Sequence, residues 1–136
     1  FAPARLGAQR LSGAYAWQDI MDSGAVIAGG SDAPVERGEA RIEFYAATVR
    51  RDLDGFADPQ TWHLEQALSR EDALRLFTVN AAHAAFREDE LGVIAPGMLA
   101  DFSVFDMDLM TADDLDLRHA RPVMTVIGGE IVWQAE

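Results

Sequence analysis

The chain has no cysteine and no lysine; all eleven basic side chains among its 136 residues are arginine. Disulfides, thiolate nucleophiles and cysteine-held metals are therefore excluded. So are a Schiff-base lysine, a phosphate-loop lysine and a carbamylated lysine ligand from these residues. Positive charge is scarce as well, 11 basic against 23 acidic groups for a net charge of −12. A phosphate backbone or an anionic membrane needs a basic footprint, so neither nucleic acid nor membrane is an expected partner. No apolar run approaches the ~20 residues of a membrane span. The start, Phe1-Ala2-Pro3-Ala4-Arg5, carries neither an initiator methionine nor a signal-peptide pattern. These absences lead us to expect a cytoplasmic piece of a longer polypeptide. Metal-ligand spacing is missing too: His63, His83 and His119 stand far apart, with no His-x-His or His-Glu-x-x-His.

What is present has αβ grammar in its first two thirds. Ala14, Trp17 and Met21 predict a short amphipathic helix over 13–23, with Ser12 as N-cap and Gly24 just past its end. Ala25-Val26-Ile27-Ala28 follows as an apolar run between glycines, which suits a strand buried on both faces. After the irregular stretch 31–38, Ile42, Tyr45, Ala46 and Val49 mark a second helix. Residues 52–61 read as a polar connector with turns at Asp54-Gly55 and Asp58-Pro59. Ser69-Arg70-Glu71-Asp72 has the form of a capping box, and Thr78 offers a second N-cap before an alanine-rich helix.

Beyond residue 90 the pattern turns β. Asp101 to Asp106 alternates with period two, and Val123–Ile127 and Glu130–Trp133 flank Gly128-Gly129, a two-residue hairpin turn. We therefore divide the chain into 1–90 and 91–136.

Asp32 is the leading candidate for chemistry. It stands just past the end of the predicted buried strand, the end at which parallel α/β proteins bind ligands. A carboxylate there can ligate a metal or act as a general base; equally, it can cap its own turn through side-chain hydrogen bonds. His63, beside Trp62, either lines a substrate mouth or sits on a surface loop, whereas His83 reads as a packed or half-exposed helix residue. Arg37, Arg41, Arg50 and Arg51 could face an anionic substrate, although arginines so placed more often pair with acids on the surface. The acidic stretch 106–116 lacks the glycine and terminal glutamate of a calcium loop and reads as a solvated turn.

Together these residues resemble a family. Gly30-Ser31-Asp32-Ala33-Pro34-Val35 is similar to the Gly-Ser-Asp-x-Pro-Val motif of the amidohydrolase superfamily, in its amidohydrolase 3 branch. The run from Ser69 through Thr78-Val79-Asn80-Ala81-Ala82 resembles that branch's closing segment, as do Leu91–Gly97, Ala100–Asp106 and Thr125–Trp133, in the same order. The resemblance implies an α/β fold: residues 1–90 as the end of a (β/α)8 TIM-like barrel, and 91–136 as antiparallel strands of a small β-sandwich. It further implies a metal-dependent hydrolase that cleaves a C–N bond, amide or cyclic amide, with metal-activated water. Asp32 would be both metal ligand and proton shuttle, the divalent metal would be zinc, and the substrate a small amide-type molecule. The family's histidine ligands lie upstream of everything present here. One carboxylate cannot hold a hydrolytic zinc, which takes three protein ligands and a water. The implied partner is thus the N-terminal part of the same polypeptide, with the isolated chain inactive; a homo-oligomer stays open. Met98 stands where the family usually has lysine and His83 where tyrosine is common. The competing reading is a self-sufficient binding module that works through its β-rich third.

Overall fold

A computed structural model describes residues 2–54 and 62–136. The turns expected at Gly55 and at Asp58-Pro59 lie outside the described residues.

Six short helices precede three strands. They are α1 (Ala2–Leu6), α2 (Ala8–Leu11), α3 (Trp17–Asp22), α4 (Ala40–Val49), α5 (Arg70–Leu76) and α6 (Val79–Ala84). The strands β1 (Phe102–Phe105), β2 (Pro122–Ile127) and β3 (Glu130–Gln134) form one antiparallel sheet in that order. The fold is a mixed one of helices and a three-stranded antiparallel sheet.

Helix α4 is central because four of its ten residues, Phe44, Tyr45, Ala47 and Val49, are buried. Leu68, Ala73 and Leu76 pack on it from one side, and Leu117, from the 3-10 turn Leu117–His119, from another. Tyr45 is fully buried, and its hydroxyl donates to the Asp52 carbonyl at 3.0 Å, which keeps a polar group in the core satisfied. Helix α5 starts at the predicted capping box: Ser69 Oγ accepts the Asp72 N–H at 3.1 Å and donates to the Asp72 carboxylate at 2.6 Å.

Three local expectations are corrected. The first long helix begins at Trp17, with Ala16 rather than Ser12 at its N-cap, because Tyr15 takes a φ of 56° that a helix cannot contain. Thr78 stands at the N-cap of α6 as expected, but its side chain makes no capping bond; the hydroxyl turns back and donates to the Leu74 carbonyl at 2.8 Å. The run Ala25–Ala28 is not a strand buried on both faces. Val26 is 61% exposed, and no described residue pairs with the run in a ladder. A β-strand exists only through lateral partners, and the described residues supply none for this one.

The hairpin is as the glycines predict. Ile127 pairs with Glu130 across Gly128 and Gly129, whose φ values of 59° and 84° belong to the two-residue turn that matches strand twist. Asp101 fastens this turn to the start of β1, its carboxylate accepting the Gly128 N–H at 2.7 Å. At the other end of β1 the Asp106 carboxylate accepts the Arg121 backbone N–H at 2.8 Å and its Nε–H at 3.0 Å. These bonds, the backbone one foremost, hold the Asp106 carboxyl below the usual range.

Two outcomes are expected. Leu117→Ala removes a fully buried side chain between the sheet connection and α4, and should cost about 2–4 kcal/mol, read from the urea midpoint. Asp106→Asn should lower the melting temperature at pH 6. A depressed carboxyl stabilises above its unfolded pKa and loses that contribution as pH falls through the folded one, so the difference from the unsubstituted chain should close as the pH is taken down through and below the ordinary aspartate range.

Candidate functional site

The segment preceding Asp32 is held by helices rather than by strands. The Gly29 N–H donates to the Leu76 carbonyl at 3.0 Å, at the end of α5. The Asn80 side-chain amide, on α6, donates to the Ile27 carbonyl at 2.9 Å. Phe77, between those two helices, lies so close that a Cβ on Gly29 would come within 2.7 Å of its ring, so only glycine fits there.

From this anchored segment the chain turns at Asp32, whose φ of 56° an aspartate tolerates better than most residues. Its carbonyl accepts the Val35 N–H at 2.9 Å, closing the turn. Ser31 Oγ, not the Asp32 carboxylate, accepts the Ala33 N–H at 3.3 Å. Among the described residues the Asp32 side chain takes no hydrogen bond and is exposed. The turn-capping alternative for Asp32 therefore has no support in the geometry.

A cavity of about 660 Å³ opens between this segment and α4, with Ile27 and Phe77 in its walls and Tyr15, Trp17 and Trp62 among its lining. It reaches Gly30, and Asp32 lies outside its lining. Tyr15 meets Trp17 edge-on at a ring separation of 6.1 Å and Trp62 at 6.3 Å. Glu43 also lines the cavity; burial, and then the neighbouring Glu36, push its carboxyl above the usual range.

Arg50 departs from the surface pairing expected of the arginines around Asp32. It is only 8% exposed, takes the left-handed conformation that ends α4, and lines the same cavity. Its Nε–H donates to the Trp62 carbonyl and its Nη1 to the Tyr15 carbonyl, both at 3.1 Å, while Nη2 is buried without a partner. Burial lowers its pKa, and the charge of Glu65 works against that shift. Residue pattern does not announce this role, because a left-handed helix end more often carries glycine. Arg41 does pair on the surface side, with Glu39, and also donates to the Arg118 carbonyl.

The histidines stay apart. His63 adopts a φ of 49°, and its Nδ1 lies 2.8 Å from the Glu65 carboxylate, leaving Nε2 buried with no partner among the described residues. His83 is exposed on α6, 3.2 Å from Glu88, and His119 is exposed on the Leu117–His119 turn. No group of three or more His, Cys, Asp or Glu side chains that could hold a metal occurs among the described residues. In the acidic stretch, Asp108 caps its own turn by accepting the Met110 N–H at 2.8 Å, as a solvated turn would.

Residues 1–133 match the Amidohydrolase family. The chain belongs to that family. It is 32% identical over 130 residues to YtcJ of Bacillus subtilis (strain 168), which is named as an amidohydrolase; the match takes in 96% of this chain and 24% of that protein. It is 26% identical over 118 residues to the N-substituted formamide deformylase of Arthrobacter pascens, covering 86% and 21% of the two chains. The solved structure of an amidohydrolase from Thermotoga maritima MSB8 superposes with a TM-score of 0.59 at 22% identity, over 89% of this chain and 26% of that one. The chain thus spans about a quarter of the length of these relatives. No helix among the described residues is long and apolar enough to cross a membrane.

Arg50→Met should destabilise the fold by about 2 kcal/mol by removing both bonds and leaving the Trp62 carbonyl without its donor, while the Tyr15 carbonyl keeps the Trp17 N–H, measurable as a lower urea midpoint. An unchanged midpoint would show that these two bonds contribute nothing net.

Proposed function

We propose that the chain is the C-terminal part of a metal-dependent amidohydrolase that hydrolyses a C–N bond, amide or cyclic amide, in a small-molecule substrate. In this reading residues 1–90 form the end of the barrel and 91–136 the C-terminal strands of a β-sandwich. The observation that carries the reading is the Asp32 carboxylate. It projects from a turn anchored upstream at Ile27 and Gly29, is exposed, and is engaged by no other described group. The C–N chemistry draws support from the family and from the deformylase name of one relative.

Asp32 supplies one carboxylate, and the described residues alone do not make a metal site. That donor fits a divalent ion such as zinc as a single ligand, with the remaining ligands coming from the upstream part of the polypeptide. When bound, such an ion supplies Lewis-acid activation of water. Asp32 moves the proton: its carboxylate takes one from the attacking water as the new C–O bond forms, and returns it to the leaving nitrogen as the C–N bond breaks. An unpartnered carboxylate suits both roles, because it has no hydrogen bond to surrender in either step. The 136-residue chain on its own is inactive in this reading, since one ligand holds no hydrolytic metal.

In the full-length protein, Asp32→Asn should reduce kcat on an amide substrate by about 10²-fold or more while leaving circular dichroism and the thermal melt unchanged. Turnover within a few-fold of the unsubstituted enzyme would remove Asp32 from the chemistry.

A further inference from the structure

The segment leading into Asp32 makes no strand ladder with any described residue, yet it is held at two backbone groups and one glycine face by the corner between α5 and α6. Asn80 is the side chain in that grip. Its amide donates to the Ile27 carbonyl at 2.9 Å, five residues before Asp32, and the residue is partly buried. The Gly29 N–H bond to Leu76 at 3.0 Å and the close approach of Phe77 to Gly29 complete it, three residues before Asp32. Asp32 itself contributes no side-chain bond that could fix its own position.

We propose that Asn80 is a positioning residue for Asp32: its amide, with the Phe77–Gly29 contact, sets where the turn leaves the helix corner and hence where the Asp32 carboxylate stands. The physical basis is leverage. A carbonyl without its donor lets residues 27–30 shift against the helices, and a displacement near 1 Å at a reacting group can cost ~10²-fold in rate. Asparagine suits the place because it is a short neutral donor; the isosteric aspartate would set an acceptor against the Ile27 carbonyl. The link to catalysis rests on the reading of Asp32 given above, whereas the positioning itself does not.

The test uses the full-length enzyme and variants Asn80→Leu and Asn80→Asp, with Leu117→Ala as a control that loses core packing while keeping the Asn80 and Gly29 hydrogen bonds. Hydrogen exchange of the amides in 28–33 should rise at least tenfold in both Asn80 variants and stay unchanged in Leu117→Ala. Under the same conditions kcat should fall at least tenfold with KM within twofold, and the metal should be lost at a lower chelator concentration. Gly29→Ala, which drives a methyl group into Phe77, should give the same pattern with Asn80 intact, and Phe77→Leu in that chain should restore it in part. Unchanged exchange in the Asn80 variants, or an equal rise in Leu117→Ala, overturns the proposal. Raised exchange in an enzyme whose Asp32→Asn variant still turns over keeps the positioning and removes the reading of Asp32.

Discussion

Burial of one face of α4 is the constraint from which the rest of the arrangement follows. Phe44, Tyr45, Ala47 and Val49 can leave water only if other parts of the chain come to them, and three separate stretches do: Leu68 to Leu76, Leu117, and the partly buried Trp17, Met21 and Ile27. Apolar burial stabilises by roughly 25 cal/mol per Å², and it has no direction of its own. Direction comes from the polar groups at the margins. Tyr45 reaches the Asp52 carbonyl, and Arg50 joins the carbonyls of Tyr15 and Trp62, so that the end of α4 is tied to both flanks. The core decides that these segments meet, and the hydrogen bonds decide at what register.

That packing also places the site. Ile27 belongs to the margin of the core, and the same α5–α6 corner that contributes Leu76 to the core holds Ile27 and Gly29 through their backbones. The Asp32 turn therefore starts from a fixed point although no strand among the described residues flanks it. One end of the segment serves stability, and the other presents a carboxylate that bonds to no other described residue. Family membership fits this division, since Asp32 and Thr78 lie 46 positions apart in sequence, yet Asn80 of the Thr78–Ala82 motif bonds to Ile27, in the segment leading into the Asp32 motif.

Much of this was legible in the residues. The capping box at Ser69, the glycine hairpin at Gly128-Gly129 and the strand at Phe102–Phe105 are local devices whose physics is complete within a few residues, and each stands where the pattern puts it, although burial along that strand does not follow the expected period of two, Val104 being exposed. Asp32 was singled out by its place after an apolar run and glycines, and the structure leaves its carboxylate unengaged. The exposed state of Val26 was not legible, because an apolar run specifies a wish for burial and not the neighbours that satisfy it. Thr78 takes the N-cap position, yet its side chain makes no capping bond for a similar reason: the hydroxyl pairs with the Leu74 carbonyl, and pattern alone does not rank such competitors.

The sequence by itself determined the class of chain and the candidate residue. The absence of lysine and cysteine, the acidic balance, the turn and cap chemistry and the ordered motifs are properties of residue type and spacing, and such properties survive any rearrangement in space. Only the tertiary structure decided that Arg50 is buried and bonded to two distant carbonyls, that a cavity lies beside residues 27–30, and that Asn80 grips the strand-like run before Asp32. The three hydrogen bonds among these join residues between 12 and 53 positions apart. Side-chain donors find such partners through the shape of the packed core, and that shape is a property of the whole fold rather than of any stretch of sequence.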